Sequence, residues 1–352
     1  MNPSGKEFHI AYFSQNQQAF LEAHVKAFEY FGGIFKAIRY DNLTSAVKKV
    51  LHGRKRLETE QFTLLKSHYL FETIFCMPGK EGAHEKGGVE GGVGRFRRNH
   101  LTPVLKVSSI LELNTILLQA CAKDDKRRII GKAKPIEILW QEEIALLLPL
   151  AKKAFCCEEV LNVRVNNKGL VSIKSNLYSL PINLVGHMIE ARLSSNTIIM
   201  FCKGKLSAQH ERLVGKGQIT VELEHYLPLL YRKPGAFASS LALHQAKLRN
   251  RWPNIFNEYW NKLIKKHDEY SGTQEFIGIL ILLKNYKLEI LQAIMEKALE
   301  SGSFDLASVI MLLRYFEKPE LQPEYFNEEE IKGLSQYNRD LPDVSDFNLL
   351  LN

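Results

Sequence analysis

The chain has 352 residues, of which 45% are hydrophobic and 24% charged, and a formal net charge of +8. That length is too great for one small core and calls for two or three domains. The longest apolar run, Phe276 to Leu283, is far short of the roughly 20 residues of a membrane span, and no secretory signal opens the sequence. The five cysteines show no C-x-x-C spacing, which excludes a disulfide framework and a zinc site and fits a reducing cytoplasm. A membrane partner is not expected.

The charge is uneven. From Glu317 to the end there are nine acidic and three basic residues, whereas the first 316 carry 44 basic against 30 acidic. A basic body with an acidic tail favours a polyanionic partner, with the tail able to screen the same surface.

In chain order, His9 to Phe13 alternates as a strand does. Ser14 then stands as an N-cap, with Gln17 three residues on completing a capping box. The helix that follows places Phe20, Leu21, His24, Phe28 and Phe31 near one stripe and ends at Gly32-Gly33. A second strand, IFKAIRY, leads to Asp41. A carboxylate there points into the crevice where α/β sheets place their sites. Taken alone, Asp41 reads better as the cap of a helix beginning near Leu43. The next stretch, VKKVLHGRKRLETEQFTLLKSH, reads as helix, charged turn and helix. Its run Arg54-Lys55-Arg56 serves equally as a DNA contact or a solvated turn.

Phe71 to Val104 reads as a strand, a Gly-rich turn and a helix bearing Glu90 among bases. Lys86 lies one turn before Glu90 and Arg97 two turns after it on one face, with Arg95 and Arg98 alongside. A lone carboxylate in such a field suits a divalent cation and a phosphate. An ordinary ion-paired surface helix is the other reading.

The runs FLEAHVKAFEYFGGIFKAIRYDNLTSAV, HYLFETIFCMPG and HEKGGVEGGVGRFRRNHLTPV together resemble the catalytic core of IstA-type insertion-sequence transposases. These belong to the DDE transposase and retroviral integrase superfamily. The resemblance implies an RNase H-like fold over residues 1–106. It also implies two Asp and one Glu holding Mg2+ (or Mn2+) for attack on phosphodiester bonds. By motif, Asp41 is the second Asp and Glu90 the Glu, both as metal ligands. Lys86, Arg95, Arg97 and Arg98, with Arg54, Lys55 and Arg56, would lie along DNA. The family's first Asp has no counterpart: Asp41 is the only Asp among the first 41 residues, and Glu7 stands beside the wrong strand to replace it. The core therefore reads as N-terminally truncated, with its first strands missing, a weakened metal site and an open edge on the Asp41 strand.

Residues 107–154 read as a helical connector. Within it, Asp124-Asp125 reads as a solvated charge run. Residues 155–235 show short strands divided by turn signals and resemble the small β-barrel that follows the core in such transposases. Residues 236–316 are a helical domain, in which Trp252, Tyr259 and Trp260 are expected to pack. Residues 317–352 are an acidic flexible tail. The expected architecture is multidomain, α/β plus β plus α. The expected function is transposition of an insertion sequence, inactive in this chain alone, in a cytoplasmic protein that joins the nucleoid when bound to DNA. The resemblance implies as partners the element's ends and target DNA, a AAA+ ATPase helper and further copies of the chain. The alternatives are a non-catalytic DNA-binding or subunit-poisoning regulator, or a functionless remnant.

Overall fold

The computed structural model describes residues 4–41, 43–51, 55–77 and 83–317, without the side chains of 83–90. The chain is mixed α/β and divides into two compact units, Met1–Tyr226 and Leu227–Asn352. No helix among the described residues is long and apolar enough to cross a membrane. The acidic tail from residue 318 onward lies outside the described residues.

In the first unit, α1 spans Gln17–Phe31 and buries Leu21, Val25 and Phe28, a spacing that keeps one stripe inward. Its cap is Asn16, whose side chain accepts from the Ala19 amide at 2.8 Å. The expected cap, Ser14, instead accepts from the Asn16 side chain at 2.6 Å, so the helix begins two residues later than the capping box implies. Gly32 ends it at φ 72°, where a Cβ would be strained.

Strand β1 (Ala37–Tyr40) follows directly. The next stretch is not the expected helix but a hairpin, β2 (Val47–Val50) and β3 (Arg56–Glu58). Val47, Val50 and Leu51 keep the helical spacing i, i+3, i+4, but β-branched valines suit a strand and the two short segments pair with each other. Helix α2 (Glu60–Tyr69) then carries the chain to β4 (Glu72–Phe75), which pairs parallel with β1 from Ala37↔Glu72 to Tyr40↔Phe75. This sheet has two strands. Its core joins Leu21, Val25 and Phe28 of α1 to Phe62, Leu65 and Tyr69 of α2 and to Tyr40, Phe71 and Phe75. Residues 9–13 enter no sheet.

Helices α3 (Ala83–His100) and α4 (Ile110–Asp125) share a smaller core of Phe96, Leu117, Ala120 and Cys121. The N-terminal segment straps them together. Lys6 pairs with Asp125, Glu7 with Arg95, and the Asn114 side chain holds both the amide and the carbonyl of Ala11. Asp124 and Asp125 are thus not a solvated run: their side chains are only 13% and 14% exposed and are held in ion pairs. Helix α5 (Ile136–Ile144) follows Pro135, its cap residue.

The strands β5 (Glu159–Arg164), β6 (Leu170–Ile173), β7 (Asn176–Ser179), β8 (Met188–Leu193), β9 (Thr197–Cys202), β10 (Lys205–Glu211) and β11 (Ile219–Thr220) come next. They form two sheets, ordered β10-β9-β8-β5 and β11-β7-β6. The expected small barrel is therefore not closed. Ile189, Leu193, Ile198 and Met200 from one sheet share a core with Val171, Ile173 and Tyr178 from the other. Every second residue of β9 points inward, the period that a sheet with one buried face requires. The end of this domain meets α1, where Glu22 accepts from the amide and hydroxyl of Ser195 and Gln18 accepts from Arg212 at 2.9 Å.

The second unit is helical: α6 (Leu227–Arg232), α7 (Leu241–Leu248), α8 (Asn254–Lys266), α9 (Glu269–Ile281), α10 (Leu288–Glu300) and α11 (Leu306–Glu317). Helix α9 is its centre, with Phe276, Ile277, Ile279 and Leu280 fully buried. At Gly272 an added Cβ would stand 2.6 Å from the Leu263 carbonyl oxygen, so glycine permits the close approach of α8.

Candidate functional site

Asp41 follows the last residue of β1 and is exposed. Its carbonyl accepts from the Leu43 amide at 2.9 Å, a tight turn that sends the chain into the hairpin rather than into a helix. The capping role is therefore not realised. Glu90 and Lys86 lie on α3, at positions whose side chains fall outside the described residues. Glu90 occupies the helical position one turn before Val93 and two turns before Arg97.

Those two α3 residues line a cavity of about 570 Å³. Its other walls are Leu43, Thr44 and Ser45, just after Asp41, then Ala19, Phe20 and Ala23 of α1, and His9, Ile10 and Tyr12. The cavity thus lies between the turn that follows Asp41 and the α3 stripe that follows Glu90. Asn114 takes the backbone groups of Ala11 on one side of the segment. Burial pushes the Tyr12 hydroxyl well above its ordinary range, so it remains a proton donor at neutral pH.

The basic residues separate into two kinds. Arg95 is only 22% exposed and pairs with Asp124 at 2.5 Å and Glu7 at 2.8 Å. Burial works against its charge, but those two carboxylates more than offset this and raise its pKa. Burial likewise opposes the charge of Asp124, yet hydrogen bonds from Arg95 and His100 hold its carboxyl below the usual range. Glu7 is also held low, first by His9 and then, against burial, by Arg95. Arg56 is turned inward, donating to the Cys76 carbonyl at 2.8 Å with its guanidinium over the Phe75 ring. Arg97, Arg98 and Lys55 are exposed. Arg54 lies outside the described residues. Ionic partners 29 and 88 residues away decide these fates, and no local pattern announces them.

Among the described residues, no three His, Cys, Asp or Glu side chains are grouped to hold a metal ion. Glu7, the one acidic residue before α1, is engaged by Arg95 and His9. The described donors therefore do not fit a two-metal site by themselves.

Two other clusters have structural roles. In the β domain, the Ser179 hydroxyl meets His225 Nδ1 at 2.7 Å, but Ser179 is fully buried and no substrate reaches it. Burial, with His210 adjacent, pushes the His225 imidazole down to about 4. In the second unit Tyr259 is fully buried and donates to the Phe304 carbonyl, while Trp260 donates to Thr273 and stacks on Phe276. These aromatics are packing residues, as their spacing implies. Sequence reading passed over Lys48 and Lys49, which the hairpin leaves exposed beside Lys55.

Residues 150–222 match the family described as Mu transposase, C-terminal domain. Across most of its length the chain is 30% identical to a transposase of Aminobacter aminovorans, covering 86% of this chain and 58% of that protein. It is 29% identical to the transposase for insertion sequences IS1326/IS1353 of Pseudomonas aeruginosa, over 89% of this chain and 61% of the relative. It is also 29% identical to the transposase for insertion sequence element IS21 of P. aeruginosa, over 64% and 57%. The chain thus spans about three fifths of the length of the curated relatives it matches. Over the part it shares with them, the chain is similar to transposases of insertion sequences, that of IS21 among them.

Proposed function

We propose that this chain binds DNA as the core and β-domain portion of an insertion-sequence transposase, and does not cut DNA by itself. The observation that carries this reading is the cavity between the turn after Asp41 and the α3 stripe after Glu90 in a chain related to transposases over 86% of its length. The parallel β1–β4 pair, with α1 before it and α2 crossing between its strands, supports an RNase H-like core of which this is part. Asp41 and Glu90 would supply two carboxylates to Mg2+ or Mn2+, which when bound polarises the scissile phosphate. This chain's own part is to place Asp41 by the turn at Leu43, and to offer the exposed Arg97 and Arg98 of α3 to phosphate. With two carboxylates the donor set remains short, so strand transfer is not expected of the chain alone.

The partners in this reading are the element's ends and target DNA, further copies of the chain, and a AAA+ ATPase helper docked by the acidic tail from residue 317. The test is duplex binding over a range of salt together with plasmid nicking in Mg2+ or Mn2+. Salt-sensitive binding without nicking is expected. Nicking should appear when the unmatched part of the Aminobacter relative is supplied in trans, and should vanish again with Asp41→Asn or Glu90→Gln. A chain that binds no DNA at 50 mM salt would overturn the reading. One that binds but is never restored to nicking is a non-catalytic regulator.

A further inference from the structure

The hairpin that follows Asp41 presents an unusual face. Lys49 pairs across the strands with Leu57, and the Leu51 amide donates to the Lys55 carbonyl at 3.0 Å, continuing the same register toward the turn. Cross-strand partners share a face, as do residues two apart on one strand. Lys49, Leu51, Lys55 and Leu57 therefore form one checkerboard, with a lysine and a leucine on each strand. Both leucines are open to solvent, Leu51 at 44% and Leu57 at 49%. The other face carries Arg56, which rests on Phe75 and the Cys76 carbonyl, so the checkerboard is turned away from the core. Lys48, at the register shift, is exposed as well.

The base of this hairpin is fixed. Gln17 donates to Thr59 Oγ1 and to the Ser45 carbonyl, and the Thr59 amide bonds to Ala46. The Glu58 carboxylate accepts from Lys66 and Thr73, each at 2.9 Å. No ion pair with a described residue occupies Lys48, Lys49 or Lys55. Beyond this fixed base, Lys48, Lys49 and Lys55 stand exposed beside the exposed side chains of Leu51 and Leu57.

We propose that the β2–β3 hairpin is a DNA-contacting ribbon, with Lys48, Lys49 and Lys55 on backbone phosphates and Leu51 and Leu57 against the apolar edges of the groove. This rests on the DNA-binding reading above and assigns it a surface. A two-stranded ribbon has the width of the major groove, where apolar side chains can meet thymine methyl groups. Charge complementarity selects the occupant, since lysine is a point-charge ligand for phosphate.

The test uses the full chain and a fluorescein-labelled 30-base-pair duplex of random sequence, titrated from 50 to 200 mM salt. Replacing the three lysines (Lys48→Gln, Lys49→Gln, Lys55→Gln) should reduce the slope of log affinity against log salt by about 2 to 3, since each phosphate contact contributes about 0.9. The pair Leu51→Ser and Leu57→Ser should weaken binding about three- to tenfold with the slope unchanged. Lys284→Gln with Lys287→Gln, exposed in the second unit, serves as the charge control and should leave the slope as it was. A triple variant with wild-type slope and affinity overturns this inference while DNA binding itself stands. So does an equal loss of slope in the control. Loss of binding to phosphatidylserine vesicles with DNA binding intact would also overturn it. Wild-type chain without salt-sensitive binding removes both this inference and the reading beneath it.

Discussion

The two sheet-bearing parts of the first unit are built to different degrees of closure. Around β8 and β9, each strand has a neighbour on both sides and two sheets enclose one apolar core. Around β1, a two-stranded parallel pair leans on α1 and α2, and Leu43 to Ser45, just beyond it, border a cavity of about 570 Å³. Parallel strands are normally buried within a larger sheet, so a pair of them depends on side-chain packing to a greater degree. The difference teaches where binding energy can act. The β domain is finished as it stands, while the region bearing Asp41 has its stability concentrated in a few aromatic contacts and ionic straps, and ligands or partners can add to it.

Substitutions should sharpen the contrast, the largest first. Phe62 is fully buried where Phe20, Tyr40 and Phe71 meet. Phe62→Ala should cost about 3–5 kcal/mol. Hydrogen exchange should show β1 and β4 amides opening while β8 and β9 keep their protection. Equal loss in both regions would mean that they unfold as one and would break the comparison. Arg95→Met is next. It leaves Asp124 and Glu7 partly buried without their cation and should cost about 2–3 kcal/mol in chemical denaturation. A variant as stable as the wild type would show that the strap contributes nothing.

Acid should strike both regions, for the same reason. His24 is enclosed by Phe20, Phe62 and Phe71, and burial pushes its imidazole below the ordinary value, against a bond to the Phe20 carbonyl. His225 is depressed to about 4. For a group depressed on folding, the unfolded chain binds the proton first. Stability is therefore full above about pH 6.5 and falls as the pH drops below it, for His225 until about 4. The loss is at most about 1.4 kcal/mol per histidine per pH unit. Glu7 and Asp124, also depressed, add a further loss in more acid solution that falls only on the Asp41 region. Thermal melts from pH 7 to 2.5 should therefore separate the two regions below about pH 4, where these carboxylates take up protons in the unfolded chain first. Parallel declines down to pH 2.5 would contradict the assignment. The smallest effect is Asn114→Ala, which removes both bonds to Ala11 and should cost about 1–2 kcal/mol. Faster amide exchange confined to residues 6–13 is the expected sign, and unchanged exchange there would refute the strap.

Local chemistry made several features legible in the residues alone. Gly32 had to end α1, because only a residue without a Cβ takes φ 72° freely. The alternation of β8 and β9 announced a half-buried sheet, and the runs around Asp41 and Glu90 announced the likeness to transposases. What stayed hidden is non-local. Asp124 and Asp125 read as solvated because their partners, Arg95 and Lys6, are far away in sequence. The hairpin read as a helix because VKKVL fits either period over so short a span, and only its pairing with Arg56 to Glu58 decides.

By itself, then, the sequence determined kinship, the approximate order of α/β, β and helical regions, and the carboxylates worth testing, since these depend on residue identity and spacing along the chain. Only the tertiary structure decided which cations are free for a polyanion, how far each sheet is closed, and where a cavity remains. Those properties depend on which distant groups meet. Charge neutralisation and edge pairing are settled across space, by partners that no local window contains.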